Sequence, residues 1–336
     1  MITKIEKAMG KFKNFNGVVK ICYDDKPIFE KAYGYSDKEN KIKNTVDTKF
    51  LTCSITKIFT ALSIMKLYEE ELLDIEDPVV RYLNDININC IVKIKDLLAH
   101  KSGINDFIMC RNEIDLYKDL YPKELLEFIL KKEGRFYPGE NTLYSNTGYL
   151  ILTLIIEKVT GRFYEDYIKE NFFTPLEMNQ SSFYGDNNDM AVGYINKRKV
   201  ALFSSTAFYG SGNIISTVND LWKFMSAVKS YKIVSRETLE LMTEVHGYTG
   251  LYKYGYGFLL NDNFREKSIG HSGTYPVGYS TIINSYENSK ITIIVLSNDI
   301  KPIKLFIPGV ANASFIEGTI MEEITGMKLN KIFKCM

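Results

Sequence analysis

The period of the hydrophobic pattern changes twice along this chain, and that order is the strongest constraint on its fold. Alternation with a period of two predicts two short strands within residues 16–34. Apolar residues then recur at the helical spacing of three to four over most of residues 77–241. After Gly250 the period returns to two, which predicts strands at 256–260, 267–271, 279–284 and 291–297 before a terminal helix at about 311–324.

Strands at both ends of the chain, separated by a helical region, predict a fold of the α/β (α+β) class. We expect one sheet built from both chain ends, with helices packed against it and an all-helical lobe beside it. The prediction is a single domain over residues 1–336, with an α/β lobe of about 1–52 and 250–336 and a helical lobe of about 77–241. Ligand sites favour clefts between such parts, so the active site is expected there.

Charge and composition argue against several classes of partner. The net charge of +1 offers no basic excess for binding nucleic acid. The longest apolar run, residues 149–156, is too short to cross a bilayer. The first residues predict an amphipathic helix without the apolar core of a secretory signal, so a cytoplasmic location is expected. We therefore expect a small-molecule or peptide substrate, while the oligomeric state is left open.

The cysteines indicate free thiols. There are five of them, at irregular spacing, which fits neither a disulfide framework nor a zinc site. No metal and no cofactor is predicted.

Ser54 and Lys57 are the first candidate catalytic pair. Apolar residues at 55, 58, 59, 62 and 65 predict a helix with one buried stripe that begins at Ser54. The hydroxyl would then lie at the positive end of the helix dipole, and the Lys57 amine would reach it from one turn away. A serine hydroxyl needs such a neighbouring base to become a nucleophile.

Other residues compete for this role. Ser63 and Ser226 also begin a Ser-x-x-Lys pattern, and we expect both hydroxyls to bond to a carbonyl one turn earlier. Cys53 is adjacent to Ser54, but no partner at helical spacing would activate its thiol.

Two further clusters carry polar groups suited to acyl transfer. In the first, a Tyr144 phenol beside a lysine would take a serine proton, and the Asn146 amide would contact a substrate carbonyl or Lys57. In the second, His271-Ser272-Gly273 ends a predicted strand, and the N–H after Gly273 would pair with that of Ser54 to bind an oxyanion.

In this order, Ser54-x-x-Lys57, Tyr144-Ser145-Asn146 and His271-Ser272-Gly273 resemble the motif set of the beta-lactamase-related serine hydrolases. This group includes class C beta-lactamases, low-molecular-weight penicillin-binding proteins, D-aminopeptidases and lactamase-like esterases. Four more segments are similar to family patterns, "LLxHTSGL", "FxPG", "AGGLxSTxxDL" and "YGxGW", at residues 94–104, 136–139, 210–221 and 254–258.

The resemblance implies a beta-lactamase/transpeptidase-like fold with an antiparallel sheet, and a serine hydrolase that works through an acyl-enzyme on an ester, amide or peptide. It implies Ser54 as the nucleophile, Lys57 and Tyr144 as the proton-transfer pair, substrate contacts from Asn146, His271 and Gly273, and an oxyanion hole from the N–H groups of Ser54 and Thr274. Whether Lys57 or Tyr144 is the base is left open, because strongly coupled groups titrate as a pair.

His271 departs from the lysine of the penicillin-recognising "KTG" pattern. Because histidine is mostly neutral near pH 7, efficient beta-lactam hydrolysis is not expected. If His271 has a carboxylate-binding role, activity on acidic substrates is expected to fall above about pH 6.5, its ordinary pKa.

Two alternatives were compared with this hypothesis. An α/β-hydrolase would need a nucleophile elbow at Ser272, but Thr274 stands where its second glycine belongs, and no histidine follows His271. A penicillin-binding or sensing protein that is acylated but turns over slowly stays open, since no deacylating residue is indicated.

Overall fold

The computed structural model describes residues 1–88, 91–186, 189–250, 252–261, 266–275, 278–300 and 312–328. Within these ranges the α-helices are α1 Ile2–Gly10, α2 Thr56–Glu69, α3 Ile94–Leu98, α4 Pro122–Leu130, α5 Asn146–Thr160, α6 Tyr164–Ile168, α7 Val218–Lys229, α8 Arg236–Met242 and α9 Asn312–Thr325. The strands are β1 Gly17–Tyr23, β2 Lys26–Tyr33, β3 Tyr35–Asp37, β4 Ile42–Lys43, β5 Phe50–Leu51, β6 Ser182–Phe183, β7 Tyr194–Ile195, β8 Arg198–Lys199, β9 Ile214–Ser216, β10 Gly247–Thr249, β11 Tyr252–Tyr254, β12 Leu259–Asn261, β13 Ser268–Tyr275, β14 Tyr279–Tyr286, β15 Ile291–Ser297 and β16 Asp299–Ile300.

The main sheet has eight antiparallel strands in the order β10-β11-β12-β13-β14-β15-β1-β2. The first strand of the chain lies between two others, because Gly17 pairs with Ser297 on β15 and with Tyr33 on β2. The predicted antiparallel sheet built from both chain ends is therefore confirmed.

Both faces of the sheet centre are covered, which explains why every residue of β14 and β15 is buried. Successive residues alternate between two cores. Val19 and Ile293 pack with α1 and α9 on one face, while Val18 and Ile294 belong to the larger core shared with α2 and α5 on the other. The two terminal helices pack together, and Lys7 and Lys11 both pair with Glu323.

Helix α2 is the central helix of the larger core. The sequence predicted one buried stripe, but the polar residues Thr56, Lys57 and Thr60 are also buried. The prediction was wrong because α2 is enclosed by both the sheet and the helical region. Its start is tied to the three-stranded sheet β5-β9-β6, whose short strands the sequence did not predict.

Several predicted boundaries needed correction. The strand predicted at 267–271 continues to Tyr275, so His271 lies in its middle. The strand predicted at 256–260 is observed as the short β12, and the terminal helix begins at Asn312. Among the described ranges, no helix combines the length and the apolar character needed to cross a bilayer.

Candidate active site

Ser54 lies in a tight 3₁₀ turn, Cys53–Ile55, that joins β5 to α2. The predicted helix start at Ser54 is therefore two residues too early, since α2 begins at Thr56. Cys53 adopts a left-handed conformation with φ +53°, which is uncommon for a residue with a side chain. The turn is held from both sides. The Thr52 N–H donates to the Ile214 carbonyl at 2.8 Å, and the Thr281 hydroxyl donates to the Thr52 carbonyl at 2.7 Å.

Lys57 is fully buried, and its amine contacts three oxygen atoms. Its Nζ lies 3.2 Å from Ser54 Oγ, 2.8 Å from Asn146 Oδ1 and 2.7 Å from the Ser211 carbonyl oxygen. Burial, opposed by the negative charge of Asp106, lowers the pKa of Lys57 to about 7. A substantial share of the amine is thus neutral near pH 7, with a lone pair free to accept a proton.

Tyr144 and Asn146 flank the start of α5. Ser145 is the N-cap of this helix, because its Oγ accepts a hydrogen bond from the Gly148 N–H at 3.0 Å. Asn146 is consequently the first helical residue, and its side chain faces Lys57. The Tyr144 ring lies 4.9 Å from Lys57 Nζ. Desolvation raises the pKa of the Tyr144 phenol well above its usual range, although the influence of the Ser54 hydroxyl opposes the shift.

His100 and Asp106, which the sequence did not predict as site residues, contact the same helix start. His100 Nδ1 accepts a hydrogen bond from the Ser145 N–H at 3.1 Å, and its ring centroid lies 4.5 Å from that of Tyr144. The Asp106 carboxylate accepts hydrogen bonds from the N–H groups of Asn146 and Thr147. The similarity of residues 94–104 to a family pattern was a signal for His100, but Asp106 stands beyond it.

His271 lies in the middle of β13 and is buried, with 3% of its surface exposed. Its Nδ1 lies 2.6 Å from the Ser272 carbonyl oxygen. Burial, together with the charge of Lys57, lowers the pKa of His271 to about 3. The predicted decline in activity above about pH 6.5 assumed the ordinary pKa of histidine, and it is therefore wrong. The ring stays neutral throughout that range.

Gly273 allows β13 to approach the Ser54 turn. A Cβ at this position would lie 2.6 Å from the Thr52 carbonyl oxygen and 2.7 Å from Cys53 Cβ, and it would also overlap Thr281 Oγ1. A side chain here would push the strand away from the turn. Thr274 follows on β13, is exposed, and pairs with Ser280 of β14.

The competing nucleophiles have structural explanations. Ser63 donates to the Phe59 carbonyl at 2.8 Å, as predicted, but Ser226 instead contacts the Asp25 carboxylate at 3.4 Å near the surface. Burial raises the pKa of the Cys53 thiol far above neutrality. Ser272 lies within a strand, whereas a nucleophile elbow requires a turn from strand to helix.

The described part of the chain brings a hydroxyl, an amine, a phenol and an amide together from two separated segments, residues 54–57 and 144–146. This combination can deprotonate a serine and hold an acyl group. Among the described residues, no group of three His, Cys, Asp or Glu side chains is arranged to hold a metal ion. Cys22, Cys53 and Cys110 are free thiols, whereas Cys90 and Cys335 lie outside the described residues.

Known proteins are similar to this chain over most of its length. The beta-lactamase family model matches residues 2–309. "Penicillin-binding protein 4*" of Bacillus subtilis is 29% identical over 317 residues, covering 87% of this chain and 70% of that protein. "Teichoic acid D-alanine hydrolase" of Staphylococcus aureus is 29% identical over 297 residues, covering 84% and 70%.

A solved structure has the same fold as this chain. The octameric penicillin-binding protein homologue from Pyrococcus abyssi superposes with a TM-score of 0.83 at 32% identity, covering 97% of this chain and 78% of that one. The sequence-based assignment of family and fold is confirmed. The chain belongs to the beta-lactamase family of serine hydrolases.

Proposed function

We propose that this protein hydrolyses an ester, amide or peptide through an acyl-enzyme in which Ser54 is the nucleophile. The observation that carries the proposal is the fully buried Lys57 amine, 3.2 Å from Ser54 Oγ, with its pKa lowered to about 7. A base is most effective when its pKa lies near the working pH. The proposal therefore assigns a base and a nucleophile that are already in contact.

Lys57 rather than Tyr144 is proposed as the base that takes the Ser54 proton. A neutral amine has two N–H bonds and one lone pair. The carbonyl oxygens of Asn146 and Ser211 can only accept, and each lies within 2.8 Å of Nζ. These two partners use the N–H bonds and leave the lone pair for the Ser54 hydroxyl. A phenol whose pKa lies well above its usual range keeps its proton at neutral pH.

Tyr144 is proposed as the group that passes a proton to the leaving group. The Tyr144 ring lies 4.9 Å from the Lys57 amine that contacts Ser54, and the Ser54 hydroxyl is close enough to affect the pKa of the phenol. The phenol is a proton donor at neutral pH, and the nearby Lys57 charge stabilises the phenolate that forms when the proton leaves. Once Lys57 has accepted the Ser54 proton, the pair can restore Tyr144 without water.

The oxyanion of the tetrahedral intermediate is proposed to bind the N–H groups of Ser54 and Thr274. The close approach at Gly273 supports this assignment, because it sets β13 against the turn that carries Ser54. Asn146, His271 and Gly273 are proposed substrate contacts. His271 is neutral at pH 7, so it would offer a hydrogen bond and not a charge to the substrate.

The proposed substrate class is an acyl compound with a D-amino-acid or lactam-like acyl part. The name of the Staphylococcus aureus relative, a hydrolase of D-alanine on teichoic acid, supports an ester of a D-amino acid as the first candidate. We further propose a single catalytic domain over residues 1–336 with the lobes given above. The cytoplasmic location stays a prediction from the sequence.

One experiment tests this function. The protein is incubated with nitrophenyl acetate, matched D- and L-alanine nitroanilides, and a chromogenic cephalosporin, while product and intact mass are followed. We expect product release together with a transient acyl adduct on Ser54. Ser54→Ala should abolish both. Ser226→Ala, which alters a serine in the same Ser-x-x-Lys pattern at the surface, should leave both unchanged.

Two results would count against this proposal. A stable adduct on Ser54 without product release would identify the acylated but slowly turning-over protein considered above. Undiminished product release by Ser54→Ala would remove the nucleophile assignment altogether.

A further inference from the structure

Asp106 is a buried carboxylate that contacts Asn146, and only 6% of its surface is exposed. Four N–H groups from the described chain donate to it. Its Oδ1 accepts from the Ile108 N–H at 2.9 Å and from Asn146 Nδ2 at 3.3 Å. Its Oδ2 accepts from the Asn146 N–H and, at 3.4 Å, from the Thr147 N–H. Both oxygens thus face donors.

These contacts belong to a complete set of acceptors at the start of α5. A helix start leaves N–H groups that have no partner within the helix. Here the Ser145 N–H donates to His100 Nδ1 at 3.1 Å, and the Gly148 N–H donates to Ser145 Oγ at 3.0 Å. Asp106 accepts from the two residues between them. The helix that carries Asn146 is therefore held by side chains from residues 100–106.

The contact with Asp106 also determines which way the Asn146 amide points. An asparagine side chain has one donor end and one acceptor end. Because Nδ2 faces the Asp106 carboxylate, Oδ1 faces Lys57 at 2.8 Å. With the opposite orientation, an NH₂ group would face the Lys57 amine and a carbonyl would face a carboxylate. Both contacts would then be repulsive.

We propose that Asp106 is a positioning residue of the active site, which orients the Asn146 amide toward Lys57 and supplies a buried negative charge behind it. This inference rests on the proposed function, because it assumes that Lys57 is the base for Ser54. Asp106 itself does not reach the Ser54 hydroxyl in the contacts described. Its effect passes through Asn146 and through the electric field at Lys57.

The carboxylate is the form of Asp106 that fits its surroundings. Burial raises its pKa, while the hydrogen bonds from Asn146 and Ile108 and the charge of Lys57 oppose that rise. A protonated carboxyl would place an O–H donor against N–H donors on either oxygen. The negative charge in turn raises the pKa of Lys57 from the lower value that burial alone would give.

Several other groups face Lys57 and set its pKa together with Asp106. The Tyr144 and Tyr149 rings lie 4.9 and 5.5 Å from Nζ, and the Cys53 thiol is also close enough to act on it. The buried rings of His100 and His271 respond to the Lys57 charge but are neutral near pH 7. Among these neighbours, the Asp106 carboxylate is the one that carries a charge at neutral pH.

Asp106→Asn is the variant that tests the proposal. The new NH₂ group must replace one of the two oxygens, and either choice sets a donor against N–H donors. The Asn146 amide can relieve the conflict at Oδ1 only by rotating, which turns its NH₂ toward Lys57. Loss of the acceptor and loss of the negative charge both favour the neutral amine. The pKa of Lys57 should therefore fall.

The control is Asp96→Asn. Asp96 is a similarly buried carboxylate, 8% exposed, which accepts a hydrogen bond from the Lys93 N–H at 3.0 Å and caps α3. It serves a helix start in the same way but does not contact Asn146 or Lys57 in the described structure. Both substitutions should lower the unfolding temperature.

The measurement is the rate at which a fluorophosphonate labels Ser54 between pH 5 and pH 9, followed by intact mass. For the wild type and Asp96→Asn we expect the rate to rise with pH and level off above about 7. For Asp106→Asn we expect a rise centred roughly one pH unit lower, the scale of an opposite charge at short range. Its plateau should be lower by about tenfold or more, because misorientation of reacting groups is costly.

The outcomes separate this inference from the proposed function. A wild-type protein that is not labelled at Ser54 contradicts the proposed function itself. A labelled wild type, with an Asp106→Asn profile that matches Asp96→Asn in both midpoint and plateau, overturns the positioning role alone.

A double-mutant cycle gives a second test, in which the contact between the two side chains is restored and not only removed. Asn146→Asp alone sets two carboxylates against each other, whereas Asp106→Asn with Asn146→Asp restores a donor facing an acceptor. Ser54 should be labelled faster in the double variant than in Asn146→Asp. The midpoint of the pH profile of the double variant should lie above that of Asp106→Asn. Losses that simply multiply in the double variant would overturn the proposal.

Discussion

The Nζ of Lys57 lies 3.2 Å from the Oγ of Ser54, and that amine is completely buried. An ammonium group taken out of water would need a compensating charge. Its direct partners are instead two carbonyl oxygens and one hydroxyl, with a carboxylate acting from behind Asn146. Burial and the nearby carboxylate together keep the pKa of Lys57 at about 7, so the amine is partly protonated and partly neutral at neutral pH.

Replacing Lys57 by methionine should abolish the base while keeping a side chain of similar length. We expect fluorophosphonate labelling of Ser54 to slow by about a thousandfold, within the range that general base catalysis contributes. The matched control is Lys229→Met, in the surface Ser-x-x-Lys pattern, whose amine contacts Asp25 at 2.7 Å. Equal rates for the two variants would contradict the role of Lys57.

The pH profile of labelling should follow the ionisation of Lys57. The rate should increase as the pH rises through about 7 and then stay level, because only the neutral amine accepts a proton. Unfolded lysine binds a proton up to about pH 10.4. Between about pH 7 and pH 10.4, Lys57 is protonated in the unfolded chain but neutral in the folded protein. The free energy of unfolding should therefore rise with pH in this range. A labelling midpoint above pH 9 would contradict the lowered pKa.

His271 should make the protein sensitive to acid. The unfolded chain binds a proton at this residue near pH 6.5, whereas the folded state does so only near pH 3. Acidification between those values therefore favours the unfolded state. We expect the free energy of unfolding to fall between pH 7 and pH 5 in both proteins, but by at least about 1 kcal/mol less in His271→Gln than in the wild type. This estimate follows because one pKa unit corresponds to about 1.4 kcal/mol.

Urea unfolding at the two pH values measures this difference. The labelling rate of the wild type should show no separate inflection from His271 between pH 5 and pH 8. Identical loss of stability in the wild type and His271→Gln would show that burial of this ring has no such effect.

Gly273→Ala should damage both the fold and the site. The added Cβ would press against the Thr52 carbonyl oxygen and Cys53 Cβ at the Ser54 turn. We expect a loss of roughly 1–3 kcal/mol in the free energy of unfolding, typical of overpacking. Labelling of Ser54 should slow by about tenfold or more as the strand moves away.

Gly10→Ala is the control for that substitution. Gly10 ends α1, and a Cβ there would meet no atom within 4 Å. Its stability and labelling rate should match those of the wild type or improve slightly, because alanine favours helix. A Gly273→Ala variant that behaves like Gly10→Ala would argue against close packing of β13 on the turn.

The sequence predicted the architecture because its signals are local and repeated. Alternation of apolar residues predicted β1, β14 and β15, and the motif spacing selected Ser54 over two other serines in the same pattern. The 3₁₀ turn at Cys53–Ile55 carried no such signal, since its left-handed residue is a cysteine and not a glycine. The end of β13 was also misjudged, because its pairing with β14 extends it beyond the apolar pattern.

The residues that the sequence did not predict act through long-range contacts. Asp106 is an ordinary aspartate in a loop until the fold sets it against Asn146, 40 residues away. The titration of His271 could not be derived either, because its pKa depends on burial between strands and on Lys57. Pattern recognition selected the candidate reacting groups, whereas their protonation depends on neighbours that only the packed structure reveals.

The order of strands has a consequence for synthesis of the protein. Ser54 emerges from the ribosome early, yet the wall formed by β13 and the Thr281 hydroxyl that holds the Thr52 carbonyl come more than 200 residues later. A nascent chain therefore carries the serine long before it carries the means to make it reactive. Under the proposed function, acylation of Ser54 requires β13 and β14, so a nascent chain that does not yet contain them is protected from premature modification.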